Sequence, residues 1–98
     1  MQPAQKIGIA WYEKAEWERL RQAASDPGEL DASFEEWELA AITTECEMRG
    51  RGMLIERVPI RATDLIAWCK RKRHPVSRSA RSTYTAEQTQ IVNRQGVV

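Results

Sequence analysis

Apolar positions recur along this chain with two periods, and the switches between them divide it into six segments. Ile7-Gly8-Ile9-Ala10-Trp11-Tyr12 is a short apolar run rich in strand formers and predicts a first strand. From Glu13 to Ala24 the spacing turns helical, with Trp17, Leu20 and Ala24 at i, i+3 and i+7, and Asp26-Pro27-Gly28 supplies turn chemistry that ends the helix. Ser33-Phe34-Glu35-Glu36 has the form of a capping box. It predicts a second helix from about Phe34 to Arg49, stopped by Gly50 or Gly52. Met53 to Ile60 reads as a second strand, with Pro59 at its end or on an edge because proline has no N–H to donate.

Leu65, Trp68, Cys69 and Lys72 are spaced for a third helix that begins near Thr63 as N-cap and ends before Pro75. Val76, Ala80 and Tyr84 suit a fourth helix capped by Ser77 or Ser79. From Glu87 the chain is polar and aperiodic. The expected organisation is therefore one domain over residues 1–86 with a flexible tail over 87–98. The order β-α-α-β-α-α makes the fold class α/β (α+β). Two connecting helices would return the second strand antiparallel to the first.

The second helix carries two apolar stripes where a surface helix needs one. Phe34, Trp37, Ala41, Thr44 and Met48 form the first; Leu39, Ile42 and Cys46 lie about 120° round. A two-stranded sheet is marginal alone and leaves open edges. Both features predict a homodimer, with Leu39, Ile42 and Cys46 as candidate interface. Trp11 and Tyr12 are adjacent on a strand and face opposite sides, so one of them joins that candidate set.

Charge changes the picture more than composition does. With 98 residues, 42% hydrophobic and 30% charged, the chain is globular rather than disordered, and its net charge is only +1. That sum hides a division. Residues 1–60 hold seven bases and twelve acids, a net of −5. The segment 61–81 holds Arg61, Lys70, Arg71, Lys72, Arg73, Arg78 and Arg81 against Asp64 alone, a net of +6. These seven cations are the candidate contacts for a partner. They suit three readings: complements to a helix C-terminus, phosphate contacts on a nucleic acid, or a docking surface for an acidic protein. A pI near 7.8 and the acidic second helix weigh against nucleic acid.

Chemistry is sparse. Cys46, Cys69 and His74 are the only soft metal ligands, lack a close Cys pair, and predict no metal site and no cofactor. Cys69 and His74 at i, i+5 point about 140° apart on a helix, a poor nucleophile–base pair. No phosphate-binding glycine loop occurs, and no pair of carboxylates is singled out for acid–base work, so an enzyme is not expected. Two cysteines, no signal-like segment and no apolar run near the ~20 residues of a membrane helix point to a cytoplasmic protein off the membrane.

Trp11-Tyr12 with Trp17, Phe34-Glu35-Glu36-Trp37, Arg57-Val58-Pro59-Ile60 and Leu65-Ile66-Ala67-Trp68-Cys69 together resemble a pattern in small uncharacterised bacterial proteins, over most of residues 9–86. The resemblance implies a bacterial cytosolic setting and carries no activity or site residues. Where those proteins favour an acidic, Asn or Ser residue to open the third helix, this chain has Arg61. The expected function is a non-catalytic interaction or accessory module acting as a homodimer. The alternatives are a nucleic-acid-binding regulator using segment 61–81 and, more distantly, a small-molecule binder or enzyme with its cleft at a dimer seam.

Overall fold

A computed structural model describes residues 6–96. The elements run β1 (Lys6–Trp11), α1 (Lys14–Ala23), a 3-10 turn (Pro27–Glu29), α2 (Phe34–Gly50), β2 (Leu54–Pro59), α3 (Ala62–Lys72) and α4 (Arg78–Gly96). The mixed α/β class and the element order agree with the sequence pattern. The strand direction does not: β1 and β2 are parallel, in register from Lys6↔Leu54 to Trp11↔Pro59. The expected antiparallel return fails because only one of the two connecting helices runs back along the sheet. α2 starts with Trp37 against Trp11, at the end of β1, and finishes with Arg49 bonded to the Ile55 carbonyl, at the start of β2. The shorter α1 packs chiefly against α3. A single return helix delivers a parallel strand.

Local signals account for α2. The Ser33 hydroxyl accepts from the Glu36 amide at 3.2 Å, and the Glu36 carboxylate reaches back to the Ala32 amide, also at 3.2 Å. That is the capping box, shifted by one residue on its return arm. At the other end the Met53 amide donates to the Met48 carbonyl and the Gly52 amide to the Arg49 carbonyl, with Gly52 at φ 84°. This paired termination needs a left-handed residue, which glycine supplies without a Cβ penalty.

Other boundaries are tertiary. α3 starts at Ala62, not after a Thr63 cap, because the Glu16 carboxylate of α1 accepts from the Ala62 amide at 2.7 Å. Its orphan donor is satisfied from another helix. α4 does not stop near Glu87, where the apolar spacing ends, but continues to Gly96, so residues 87–96 of the expected tail are helical; Val97 and Val98 lie outside the described residues. The polar Thr85 and Thr89 are buried there. Each hydroxyl donates to the carbonyl four residues back, at 2.8 and 2.7 Å, so neither leaves a free donor, and Thr89 faces Gly8 of β1. The periodicity of apolar residues misses such a face.

The core lies where α1, α3 and α4 meet one face of the sheet. It holds Tyr12, Trp17, Leu20, Val58, Ile60, Ala62, Leu65, Trp68, Cys69, Ala80 and Tyr84. Gly8 and Val58 face this side. A β-carbon at Gly8 would stand 2.8 Å from the Thr89 Cβ, so the glycine permits α4 to lie directly on β1. α2 covers the opposite face, chiefly over β2.

Candidate partner-binding surfaces

The seven cations of segment 61–81 divide into two groups with different roles. Arg81 is 11% exposed and grips Asp26 through two nitrogens, at 2.8 and 3.5 Å. The Arg78 amide donates to the same carboxylate at 2.8 Å, and its guanidinium lies 3.9 Å from Glu29. Hydrogen bonding from Arg81 holds the Asp26 carboxyl below its ordinary pKa. These two arginines pin α4 to the turn after α1. Arg81 leaves the candidate contact surface, because its guanidinium, partly buried and held on both oxygens of Asp26, is not free for a partner.

Arg61, Lys70, Arg71, Lys72 and Arg73 are exposed and form no ion pair among the described residues. Arg61 stands at the start of α3, roughly 13 Å along the axis from Lys70, so the five make an end cluster of four and one outlier. At the end cluster the His74 amide donates to the Cys69 carbonyl at 2.9 Å and the Arg73 amide to the Lys70 carbonyl at 3.2 Å. This is the termination that closes α2, yet the left-handed position is filled by Arg73 at φ 58° and not by glycine. An L-residue there costs roughly 1–2 kcal/mol. His74 lies against Trp68, ring centroids 6.1 Å apart, which ties the cluster to the core.

The apolar candidates also divide. Leu39 is 67% exposed, and Ile42 and Cys46 are exposed on the same stripe, so the second stripe of α2 is not buried. The first stripe is half-buried except for Thr44, which is exposed; the one fully buried residue of α2 is Glu45. Tyr12 is 5% exposed, its ring 5.3 Å from Trp37, and burial pushes its hydroxyl up to about 12. It belongs to the core and leaves the candidate interface. Trp11 is the residue turned outward.

Around Trp11 the structure builds a cluster that no spacing in the sequence signals. The Arg57 guanidinium sits 3.7 Å above the Trp11 ring and grips Glu45 through two bonds of 2.9 and 2.8 Å. Arg49 approaches the same carboxylate at 3.5 Å. Hydrogen bonding from Arg57 holds the Glu45 carboxyl low, and Glu45 raises the Arg57 guanidinium. A buried carboxylate needs this company. Alternating charge along the strand, Glu56-Arg57, is the one hint of a polar face.

Other groups stand apart. Cys69 is 1% exposed, and burial pushes its thiol up, away from the thiolate a nucleophile requires. No group of three or more His, Cys, Asp or Glu among the described residues is arranged to hold a metal ion. An open cleft of about 420 Å³ lies between α1 and the start of α2, crossed at its rim by a 3.0 Å Lys14–Glu35 ion pair. No helix among the described residues is long and apolar enough to cross a membrane. No protein-family model matches this chain, and no curated protein or solved structure is significantly similar to it.

Proposed function

We infer that this protein is a non-catalytic interaction module that assembles as a homodimer and offers an acidic protein partner the cationic end of α3. The observation that carries the reading is the pair of uncovered surfaces. Apolar side chains are exposed at Ile7 of β1, next to the half-buried Ile9 and Trp11, and separately at Leu39 and Ile42 of α2, while the cation cluster Lys70 to Arg73 lies on another element, the end of α3. Uncovered apolar side chains rimmed by polar ones suit association. Four consecutive bases give steering and specificity toward an oppositely charged surface. The left-handed Arg73 adds weight. A backbone cost retained at an exposed cation is easier to understand if the charge is used. The shifted titratable groups that face inward, Asp26, Glu45, Tyr12, Tyr84 and Cys69, are accounted for by ion pairs or core burial, which supports a binding role over acid–base work among the described residues.

The same cluster supports a second reading, a nucleic-acid-binding regulator, because phosphates need little beyond grouped lysine and arginine. The test is fluorescence anisotropy with two probes, a labelled glutamate-rich peptide and a short DNA duplex, each titrated at low and high salt. Peptide binding that disappears when Lys70, Arg71, Lys72 and Arg73 are changed to Glu supports the acidic-partner reading. Duplex binding that falls steeply with salt and disappears in the same variant makes the regulator the better reading. Binding of neither probe removes the cation cluster as a contact surface.

A further inference from the structure

The two strands form one parallel ladder, so each has an inner and an outer edge. The Ile60 amide donates to the Trp11 carbonyl at 3.0 Å. Backbone groups alternate sides along a strand. Trp11, Ile9 and Ile7 therefore turn their N–H and C=O groups inward to β2, and Ala10 and Gly8 turn theirs to the outer edge. On β2 the outward residues are Ile55, Arg57 and Pro59.

The two outer edges are unlike. On β2 the Ile55 carbonyl is occupied by the Arg49 guanidinium at 3.1 Å, and Pro59 has no N–H. Arg57 sits between them with its head group bound to Glu45. Proline, a charged side chain and an occupied carbonyl are the devices that close a sheet edge. On β1 the outward groups belong to Gly8 and Ala10, the smallest residues of the strand, and they have no hydrogen-bond partner among the described residues. No residue of β1 is fully buried, and the face turned from α4, met by α2 at Trp11 through Trp37, carries Ile7, 40% exposed, with the half-buried Ile9 and Trp11. A row of unmet backbone groups flanked by small residues is matched by another extended strand, and by little else.

We propose that two copies of this chain pair antiparallel through the outer edges of β1, with a twofold axis at Ile9, to make a four-stranded sheet in the order β2-β1-β1-β2. The proposal rests on the homodimer reading and specifies its geometry. Gly8 of each copy exchanges both backbone hydrogen bonds with Ala10 of the other. On the open face Ile9 meets Ile9 of the second copy, and Ile7 meets Trp11 of the second copy. The antiparallel sense follows from charge. It sets Lys6 against the end of the other strand, which is followed by the exposed Glu13, whereas a parallel pair would oppose Lys6 to Lys6. On the other face α4 touches both strands, so the two α4 helices come side by side near the usual 8–10 Å axial separation. Helical spacing puts the small, exposed Ser82 and Ala86 on that flank, beyond the buried Thr89.

The test is size-exclusion chromatography with light scattering on the full chain at about 100 μM, well above the micromolar constants of weak specific dimers. Three chains are compared. The wild type runs near twice 11.3 kDa. Ala10→Pro removes an outward N–H and leaves the inner ladder intact; it runs as a monomer with an unchanged far-ultraviolet circular dichroism spectrum. Leu39→Glu stays dimeric. A second measurement covers the case in which Ala10→Pro does not fold. Ile9→Cys in a Cys46→Ser background forms an intermolecular disulfide on mild oxidation, because directly opposed residues of a non-hydrogen-bonded pair lie about 4.5 Å apart at Cα. A monomeric wild type overturns the homodimer reading and this proposal with it. A dimer that survives Ala10→Pro, resists the cross-link and dissociates with Leu39→Glu keeps the homodimer but overturns the β1 pairing in favour of α2.

Discussion

β1 and β2 are equal in length and bonded to each other, yet they are opposite in kind. β2 has a buried residue on each face and a blocked outer edge. Val58 and Ile55 are 1% and 7% exposed, Arg57 is clamped to Glu45, and both ends of its outer edge are blocked, by Arg49 and by Pro59. β1 has α4 against one face, the start of α2 on the other only where Trp37 meets Trp11, no buried residue and an open edge. Parallel strands are normally covered on both faces. The difference teaches that the sheet of this protein is finished on one side only, and that the unfinished side is the place to look for assembly.

Substitutions can break or sharpen that contrast. The largest effect is expected on the closed strand. Val58→Ala leaves a cavity at the centre of the core and lowers the unfolding free energy by about 2–3 kcal/mol, read by urea denaturation. On β1 the one position with a comparable cost is the one beneath α4. Gly8→Ala drives a methyl into Thr89 and destabilises by about 1–3 kcal/mol; Thr89→Ala in the same chain recovers part of it. A full recovery by any substitution on α2 would show that the face assignment is wrong.

A smaller effect separates the strands by pH. The Glu45 carboxyl is held below its ordinary value of 4.5, so the folded state binds its proton less readily than the unfolded chain. The stability it supplies is present above that value and is lost as pH falls through it toward the lower folded pKa. The midpoint of thermal unfolding should therefore drop between neutral pH and acid, and drop less in Glu45→Gln. Equal drops would mean that the clamp on β2 contributes nothing. The smallest effect is on the open strand. Ile7→Thr should change monomer stability by under about 0.5 kcal/mol, as surface substitutions do. It should weaken self-association measurably by sedimentation equilibrium. An unchanged dimer constant would leave the strip on β1 without a role.

Much of this was legible in the residues, for identifiable reasons. The capping box at Ser33 and the left-handed stop at Gly52 are short-range devices whose partners lie within five residues. The apolar spacing of Trp17 and Leu20, and of Leu65, Trp68 and Cys69, marks the faces that are buried. The second stripe of α2, read as an interface because a surface helix needs only one, is exposed at Leu39 and Ile42. The cation cluster was legible only in part. Counting charges cannot tell Arg81, committed to Asp26 across 55 residues, from Lys70, committed to nothing among the described residues.

By itself, then, the sequence determined what depends on near neighbours: four helices and two strands, most of their limits, and the segregation of charge between the first sixty residues and the next twenty-one. Tertiary structure decided whatever depends on distant partners. Strand direction followed from which helix makes the return. The start of α3 followed from a carboxylate on α1, and the close seat of α4 from a glycine on β1 that admits Thr89. The open edge followed from where β2 found its partners, and the division of the arginines from where Asp26 and Glu45 came to rest. Hydrogen bonds between remote groups leave no periodic mark on a chain, because nothing in their spacing repeats.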